Sequence, residues 1–438
     1  MGLNGRARTR LIFWACLAAV VLIVRGGFML THYESLQDDP DAYRVIAETL
    51  ARTGVFGLPV GTEEARPTAF RPPLYPWLLS WLVDGAGTLS NPSVAILQLV
   101  LGGLTIGFTW DIARRLLSKW AAICASVLVL IDPILLWQSS LVMTETIATT
   151  LVVVTWWWWV VRIGRTEDCE PKTAKGGLTR SDVLDAVVLG SLLTLCILCR
   201  PTFLVWAAML AAYLPVTGRV TSMARAAMFV ITLAIMVTGV GAWTIRNLSA
   251  VGHPVWGTTH GGYTLLLANN DSFYDYLENK PTEPPWRRHA WEPDEFFAEY
   301  QSLPRSGDEW ADDQVAYAAA RSTIARRPEM FWYSCWVRMT RLWQPFPHAT
   351  AGRSTSLIVI VGLLHSLVYA LILVAVWRHA RQLHPRHWRP WIAWWPAVAI
   401  VITLSGVHAV YWSNPRMRSP AIPVLSIAAA AALVRRRD

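Results

Sequence analysis

The sequence has little charge and lacks the short motifs of nucleotide and serine-hydrolase chemistry. Asp, Glu, Lys and Arg make up 16% of its 438 residues, whereas 54% are hydrophobic. This balance excludes an ordinary soluble enzyme and indicates an integral membrane protein. The sequence contains no Walker loop, no G-x-G-x-x-G and no G-x-S-x-G, and its histidines lack the helix-spaced pairing with an acid that marks a zinc protease. Hydrolase and nucleotide-binding functions therefore have little support.

Cysteines are few and offer no disulfide or zinc framework. Four of the six, Cys16, Cys124, Cys196 and Cys199, lie in apolar stretches. The last two are one helical turn apart, and no second pair completes a metal site. The net charge of +9 does not indicate nucleic acid, because the basic residues form short clusters between apolar stretches, as in a membrane protein that sets its orientation. We expect no nucleic-acid partner.

Ten apolar stretches approach the roughly 20 residues that cross a bilayer as a helix. They are 11–30, 91–113, 120–138, 141–162, 183–200, 202–217, 223–245, 355–377, 391–412 and 419–434. The first is long enough to remain as a signal anchor. With a cytoplasmic N-terminus, every basic cluster falls on the cytoplasmic side, including the tail Arg435, Arg436 and Arg437. We expect an all-α, multi-pass protein of the inner membrane with both termini cytoplasmic.

The same topology predicts two large outer regions. Residues 1–245 form an N-terminal membrane domain with its first outer loop at 31–90, residues 246–354 pack on it from outside, and residues 355–438 supply C-terminal spans. The segment 72–83 is too short to cross and is predicted to lie along the outer interface. Residues 246–308 are rich in Gly, Pro, Asn and Asp and predict loops, whereas 309–327 predict a helix.

Two features of the spans have structural interpretations. Asp132 before Pro133 predicts a kinked helix whose aspartate satisfies freed backbone groups. The run Trp156 to Trp159 is explained by an aromatic belt at headgroup level.

Polar groups gather at the outer ends of the predicted spans. They are Asp38, Asp39, Asp41, Arg71, Glu145, Arg200, Arg246, Asn247, Arg416 and Arg418. Ionisable groups at a membrane face are costly, so their convergence indicates function. Two interpretations stay open for Asp39, which either caps the helix after Pro40 or acts as a base. Glu145 is likewise either a first-turn acid favoured by the helix dipole or a functional carboxylate.

The sequence predicts the position of the Arg71 guanidinium more closely than those of Arg200 and Arg246. Arg71 precedes Pro72 and Pro73, which fix the backbone and hold the guanidinium at headgroup depth. Because a guanidinium fork suits paired anionic oxygens, we expect phosphate there. Arg200 and Arg246 either extend to the lipid headgroups or contact an anionic substrate.

Several motifs occur in an order seen in one superfamily. They are Asp39 four residues before Tyr43, the segments RPPLYPWLLSWL and DIARRLL, Met143-Thr144-Glu145, AWTIRNLSAVGHPVWGTTHGGYTLLLANND and NPRMRSPAIPVLSIAAAAAL. In these the chain resembles the bacterial lipid-linked-sugar glycosyltransferases of the GT-C fold. That group includes the dolichyl-phosphate-mannose protein mannosyltransferases and the aminoarabinose transferases of lipid A. The resemblance covers most of the chain.

The resemblance implies an inverting glycosyl transfer outside the cytoplasm, from a polyprenyl-phosphate sugar to an acceptor hydroxyl. It assigns the catalytic carboxylate to Asp39, with Asp38 and Asp41 as alternatives, and a second acid to Glu145. Arg71 stands where the aminoarabinose branch has a lysine on the donor phosphate. Further expected contacts are Arg246, Arg416 and Arg418 with the phosphate, and Tyr43, Tyr75, Arg200 and Asn247 with substrate. The resemblance makes no cofactor certain, and a divalent metal shared by Asp39 and Glu145 stays open, since these branches do not oblige one.

The resemblance leaves the acceptor open among protein, lipid and polysaccharide. The alternative is a polytopic transporter or flippase for a lipid-linked or envelope substrate. Transporters usually carry paired repeats and polar groups near the membrane midplane. This sequence shows no repeat and places its polar groups at one face, so sugar transfer is the favoured interpretation.

Overall fold

The computed structural model describes residues 5–61, 64–164, 178–216, 222–279, 291, 294–348, 354–379 and 389–434. The basic tail Arg435, Arg436 and Arg437 lies outside these residues, as do 165–177, 217–221 and 380–388 from the predicted cytoplasmic loops. The described chain is almost entirely helical, and its one sheet has two strands.

The first half of the membrane region contains nine helices among the described residues. They are α1 (Gly5–Val21), α2 (Gly27–Thr31), α3 (Tyr43–Thr53), α4 (Leu74–Ser80), α5 (Asn91–Leu116), α6 (Lys119–Ile131), α7 (Pro133–Ser139), α8 (Glu145–Trp158) and α9 (Arg180–Cys199). A π-helical turn, Leu22–Gly26, joins α1 to α2, and another, Trp159–Ile163, extends α8.

The remaining described helices continue the bundle and build the outer region. They are α10 (Phe203–Tyr213), α11 (Ser222–Val251), α12 (Gly261–Ala268), α13 (Asp271–Asn279), α14 (Asp294–Ser302), α15 (Glu309–Arg326), α16 (Pro328–Trp343), α17 (Thr355–His379), α18 (Arg389–Val410) and α19 (Ile422–Ala430). A 3₁₀ turn, Pro415–Ala421, precedes α19.

Seven helices in the described part of the chain are long and apolar enough to cross a membrane, which confirms a multi-pass membrane protein. They are Trp14–Thr31, Asn91–Leu116, Glu145–Ile163, Arg180–Cys199, Met223–Val251, Thr355–Arg378 and Ile392–Val410. The predicted span 120–138 is the pair α6 and α7, bent by 51°. The predicted spans 202–217 and 419–434 form the shorter helices α10 and α19.

The bend between α6 and α7 has the predicted cause. Pro133 has no N–H to continue the helix, and Asp132 Oδ1 accepts the N–H groups of Ile134 and Leu135, each at 3.0 Å. The aspartate therefore acts as the N-cap of α7, which confirms its structural interpretation.

The tryptophan run is not a headgroup belt at Trp156 and Trp159, because both rings are buried. Trp159 donates its indole N–H to the Ile392 carbonyl at 2.7 Å. That carbonyl is free because Pro396, four residues on in α18, has no N–H to give it. Trp156 bonds the neighbouring Ala393 carbonyl at 2.9 Å. These contacts fasten α8 to α18.

The first outer loop is a compact unit. Its helix α3 buries Tyr43, Ile46, Ala47 and Thr49, and the strands β1 (Gly57–Val60) and β2 (Glu64–Pro67) pair antiparallel, with Gly57 opposite Pro67. The short helix α4 matches the predicted interfacial segment 72–83. Arg44 joins α3 to the start of α5 by donating to the Asn91 side chain at 2.8 Å.

Residues 246–354, predicted to form the second outer region, contain more helix than expected. Residues 246–308, predicted as loops, include α12, α13 and α14. Their high content of Gly and Pro falls at the ends of these helices, while Leu266, Phe273 and Phe296 between them are fully buried in small apolar clusters. Burial of these side chains outweighs the local preference for loops. The predicted helix 309–327 is confirmed as α15.

Candidate functional site

Asp39 lies four residues before the first residue of α3, and its two carboxylate oxygens have different environments. Its Oδ2 accepts the N–H of Val45 at 3.0 Å, whereas Oδ1 is buried without a hydrogen-bond partner among the described residues. The helix begins at Tyr43, later than expected, because Ala42 adopts a left-handed φ of 58°. Asp39 therefore caps the helix with one oxygen and leaves the other available.

Arg71 is held by the other aspartate of this loop. Its Nη2 lies 2.6 Å from Asp41 Oδ1, and its Nε donates to the Asp41 carbonyl at 2.8 Å. The guanidinium lies over the rings of Phe70 and Tyr43, at 4.3 and 5.6 Å from their centroids. Arg71 thus pairs with one carboxylate oxygen of Asp41 and with its carbonyl oxygen, whereas Asp38 is exposed.

Glu145 is the first residue of α8 and is fully buried. Neither of its carboxylate oxygens has a hydrogen-bond partner among the described residues. Two guanidiniums approach its Oε1, with Arg200 Nη1 at 3.5 Å and Arg416 Nε at 3.7 Å. Burial of an unpaired carboxylate is costly, so these two arginines supply the compensating charge.

The backbone explains how both arginines reach Glu145. Arg200 follows α9 and precedes Pro201, which favours the extended conformation it adopts (φ −149°, ψ 119°). Arg416 lies in the 3₁₀ turn that begins where the Asn414 side chain accepts its N–H at 3.1 Å. Residues more than 200 positions apart therefore meet at the start of α8.

Tyr43 and Tyr75 lie close enough to the acids and arginines of the site to feel their charges. Their rings meet edge to face, with centroids 5.4 Å apart. Burial raises the pKa of the Tyr43 hydroxyl, and the charges of Arg71, Asp41, Arg200 and Glu145 act on it. Burial also raises the pKa of Tyr75, on which Glu145 and Asp39 act. The acids and arginines from five chain segments thus share one environment with two neutral phenols.

Three of the residues predicted to contact substrate or phosphate donate hydrogen bonds to other groups of the protein. Arg246 Nη1 donates to the Thr68 carbonyl at 2.7 Å and to the Asn247 side chain at 2.9 Å. Asn247 in turn donates to the Val255 carbonyl at 2.7 Å. Arg418 is buried and donates to the Gln344 carbonyl at 2.7 Å. That Arg246 and Arg418 contact the donor phosphate and Asn247 the substrate stays a prediction, and in this structure backbone and amide oxygens accept hydrogen bonds from all three side chains.

The donor set does not suit a divalent metal. No group of three or more His, Cys, Asp or Glu side chains that could hold an ion occurs within the described ranges. Glu145, one of the two ligands suggested by the sequence, faces two guanidiniums whose positive charge opposes a cation. The reaction proposed below needs no metal ligand from these residues.

The outer region positions the loop that carries Arg71, which the sequence did not reveal. Glu309, at the start of α15, accepts the Thr68 hydroxyl at 2.5 Å and the Ala69 N–H at 2.6 Å. Thr259 donates its N–H to the Ala69 carbonyl at 3.0 Å. The acids that open α15 were the available signal, but a first-turn acid alone predicts only favourable interaction with the helix dipole.

No protein-family model and no curated protein sequence matches this chain. The structure is similar to the archaeal oligosaccharyltransferase AglB from Archaeoglobus fulgidus, solved with an inhibitory peptide and a dolichol-phosphate (TM-score 0.52, 14% identity, 97% of this chain and 50% of that chain). The apo form of the Archaeoglobus fulgidus oligosaccharyltransferase gives a TM-score of 0.52 at 13% identity over the same shares. ArnT from Cupriavidus metallidurans bound to undecaprenyl phosphate gives a TM-score of 0.40 at 13% identity, covering 94% of this chain and 78% of that chain.

These comparisons establish the fold. The chain is an all-α membrane protein with the GT-C fold, as the sequence resemblance implied. It spans about half the length of the archaeal oligosaccharyltransferase it matches.

Proposed function

We propose that this protein transfers a glycosyl unit from a polyprenyl-phosphate donor to an acceptor hydroxyl on the extracytoplasmic side of the membrane. The observation that carries the proposal is the convergence of Asp39, the Asp41–Arg71 pair and the Glu145–Arg200–Arg416 cluster around Tyr43 and Tyr75. The GT-C fold supports it, since a solved protein with this fold was obtained with a dolichol-phosphate.

Asp39 is the proposed general base. Of the three neighbouring aspartates, Asp41 is neutralised by Arg71 and Asp38 is exposed, whereas Asp39 keeps one buried oxygen without a partner among the described residues. That oxygen takes the proton as the acceptor hydroxyl attacks the anomeric carbon. General-base catalysis of this kind contributes about 10²- to 10⁴-fold.

Arg71, Arg200 and Arg416 are the proposed phosphate contacts. As the new bond from the acceptor oxygen to the anomeric carbon forms, the bond to the phosphate oxygen breaks and its electron pair leaves with polyprenyl phosphate. The guanidiniums offset the charge that develops there. Arg416 is the most available of the three, because its side chain is 35% exposed. Glu145 holds Arg200 and Arg416 at this position.

The experiment is donor analysis in a strain lacking the gene. We expect one polyprenyl-phosphate sugar to accumulate, and wild-type protein to restore its consumption. Asp39→Asn and Arg71→Ala should each fail to restore it at equal protein level. Asp38→Asn is the matched control, because that carboxylate is exposed, and it should restore consumption. Full restoration by both Asp39→Asn and Arg71→Ala would remove the proposed site.

The same strain separates transfer from transport. Loss of a transferase leaves the sugar lipid in the outer leaflet, where membrane-impermeant periodate oxidises its vicinal diols in intact spheroplasts. Loss of a flippase leaves it in the cytoplasmic leaflet, protected until the membrane is opened. Protected lipid would therefore contradict the transferase proposal.

A further inference from the structure

Three half-buried rings form a wall beside Arg71. Phe70 lies under the Arg71 guanidinium at 4.3 Å and meets His260 edge to face, with ring centroids 4.9 Å apart. His260 stacks on Tyr263 at 4.6 Å with an interplanar angle of 23°. We call Phe70, His260 and Tyr263 the aromatic wall. It comes from both outer regions and borders the proposed phosphate contact.

The backbone behind the aromatic wall is tightly held by α15. Asp313 Oδ1 accepts the Gly262 N–H at 2.7 Å. A Cβ at Gly261 would lie 2.1 Å from the Tyr317 hydroxyl oxygen, and one at Gly262 would lie 2.1 Å from the Asp313 carbonyl oxygen. Only glycine permits this close approach. The segment before it is joined to the Arg71 loop through Thr259, so the wall and the arginine form one unit.

The polar side-chain atoms of the aromatic wall are not used in hydrogen bonds within the described part of the protein. The imidazole of His260 and the hydroxyl of Tyr263 form no hydrogen bond to another described residue. Burial, with the charge of Arg71, lowers the pKa of His260 to about 3. The imidazole is therefore neutral and offers one donor and one acceptor. A ring this weakly basic is suited to hold a hydroxyl group and is poorly suited to remove its proton.

We propose that the aromatic wall binds the sugar ring of the donor, with His260 and Tyr263 bonding its hydroxyls and Phe70 contacting its carbon face. This assignment rests on the proposed function, in which Arg71 binds the phosphate. The sugar is attached directly to that phosphate, and the wall is attached directly to Arg71. The prenyl chain is a hydrocarbon and cannot form hydrogen bonds with His260 or Tyr263. The wall therefore recognises the glycosyl unit.

The test compares lipids with and without a sugar on purified full-length protein in nanodiscs. The probes are undecaprenyl phosphate and its mannose, glucose, galactose and arabinose esters, and Kd is measured by competition in native mass spectrometry. We expect wild-type protein to bind at least one ester about tenfold more tightly than the bare lipid. Each removed hydrogen bond should reduce that preference about fivefold. His260→Phe keeps a ring, and Tyr263→Phe removes only the hydroxyl.

The matched control is His253→Phe. His253 also stacks on an aromatic ring of the outer region, Trp310 at 4.3 Å, but it is paired with Asp308 at 3.1 Å. This variant should keep the wild-type preference. All three variants should bind bare undecaprenyl phosphate like wild type and melt within a few degrees of it.

The possible failures are distinguishable. If wild-type protein binds undecaprenyl phosphate no better than phosphatidylglycerol, both the proposed function and the assignment of the aromatic wall are refuted. If it binds bare lipid well but prefers none of the esters, or if the preference survives both His260→Phe and Tyr263→Phe, the wall does not recognise sugar while phosphate binding stands. Equal loss in His253→Phe would also overturn the assignment, since it would show a general effect on the outer region.

Discussion

Replacement of Glu145 by Gln is the sharpest test of how the site is held together. The substitution keeps the shape of the side chain and removes its charge. At an effective dielectric constant near 20, each guanidinium contact at 3.5 or 3.7 Å carries an attraction of about 5 kcal/mol, and desolvation of the buried charges offsets most of it. Loss of one partner of a buried pair costs about 3–5 kcal/mol. We expect Glu145→Gln to destabilise the protein by that amount.

The assay is reversible unfolding in mixed micelles by titration with sodium dodecyl sulfate, run as a double-mutant cycle. Glu145→Gln, Arg200→Gln and the double variant are compared with wild type. Because the two side chains compensate each other, the double variant should lose less than the sum of the single losses, with a coupling of about 1–3 kcal/mol. Donor consumption should be lost in both single variants.

Asp185→Asn is the matched control for Glu145→Gln. Asp185 is also a buried acid with an arginine partner, Arg162 at 2.7 Å. It lies on α9, 15 residues from Arg200, or about 22 Å along the helix. This variant should lose stability and keep donor consumption. Wild-type stability together with wild-type activity in Glu145→Gln would refute the argument that this carboxylate holds the two arginines.

Three further predictions follow from individual contacts. Arg71→Lys keeps the positive charge but loses the bidentate contact to Asp41, so undecaprenyl phosphate should bind several-fold more weakly than to wild type and more tightly than to Arg71→Ala. Arg246→Ala removes the bonds to the Thr68 and Phe56 carbonyls that join α11 to residues 31–90, and should lower the free energy of unfolding by about 2–3 kcal/mol, seen as faster proteolysis of that loop. Burial raises the pKa of Asp313 from 3.8 to about 6, so its contribution to stability is complete below about pH 4 and is lost as the pH rises through 6. The melting temperature of Asp313→Asn should therefore rise relative to that of wild type as the pH increases from 4 to 6. A difference in melting temperature that does not change with pH would contradict this.

The sequence was informative where local chemistry decides the structure. Hydropathy located the long spans, and Pro133 with Asp132 predicted the bend between α6 and α7, because a missing N–H and a capping carboxylate act on adjacent residues. The acidic start of residues 309–327 was likewise sufficient to predict the helix α15.

Side-chain roles set by distant contacts could not be predicted. Arg246 and Arg418 have the same sequence character as Arg200 and Arg416, yet the first two donate hydrogen bonds to carbonyl oxygens and the second two face Glu145. Only the tertiary fold decides which guanidinium meets a carbonyl group. His260 was overlooked for a related reason, because its neighbours Phe70 and Arg71 lie almost 190 residues away along the chain.

The balance of charge at the site supports the proposal that Asp39 is the general base. Arg71 faces Asp41, while Arg200 and Arg416 both face Glu145. No guanidinium lies within ion-pair distance of Asp39 in the described protein, so its charge is the least compensated of the three acids. A donor phosphate would add negative charge to the same space. In the proposed reaction the acceptor proton moves to Asp39 and neutralises that carboxylate, while an equal negative charge develops on the departing polyprenyl phosphate, where the guanidiniums of Arg71, Arg200 and Arg416 offset it.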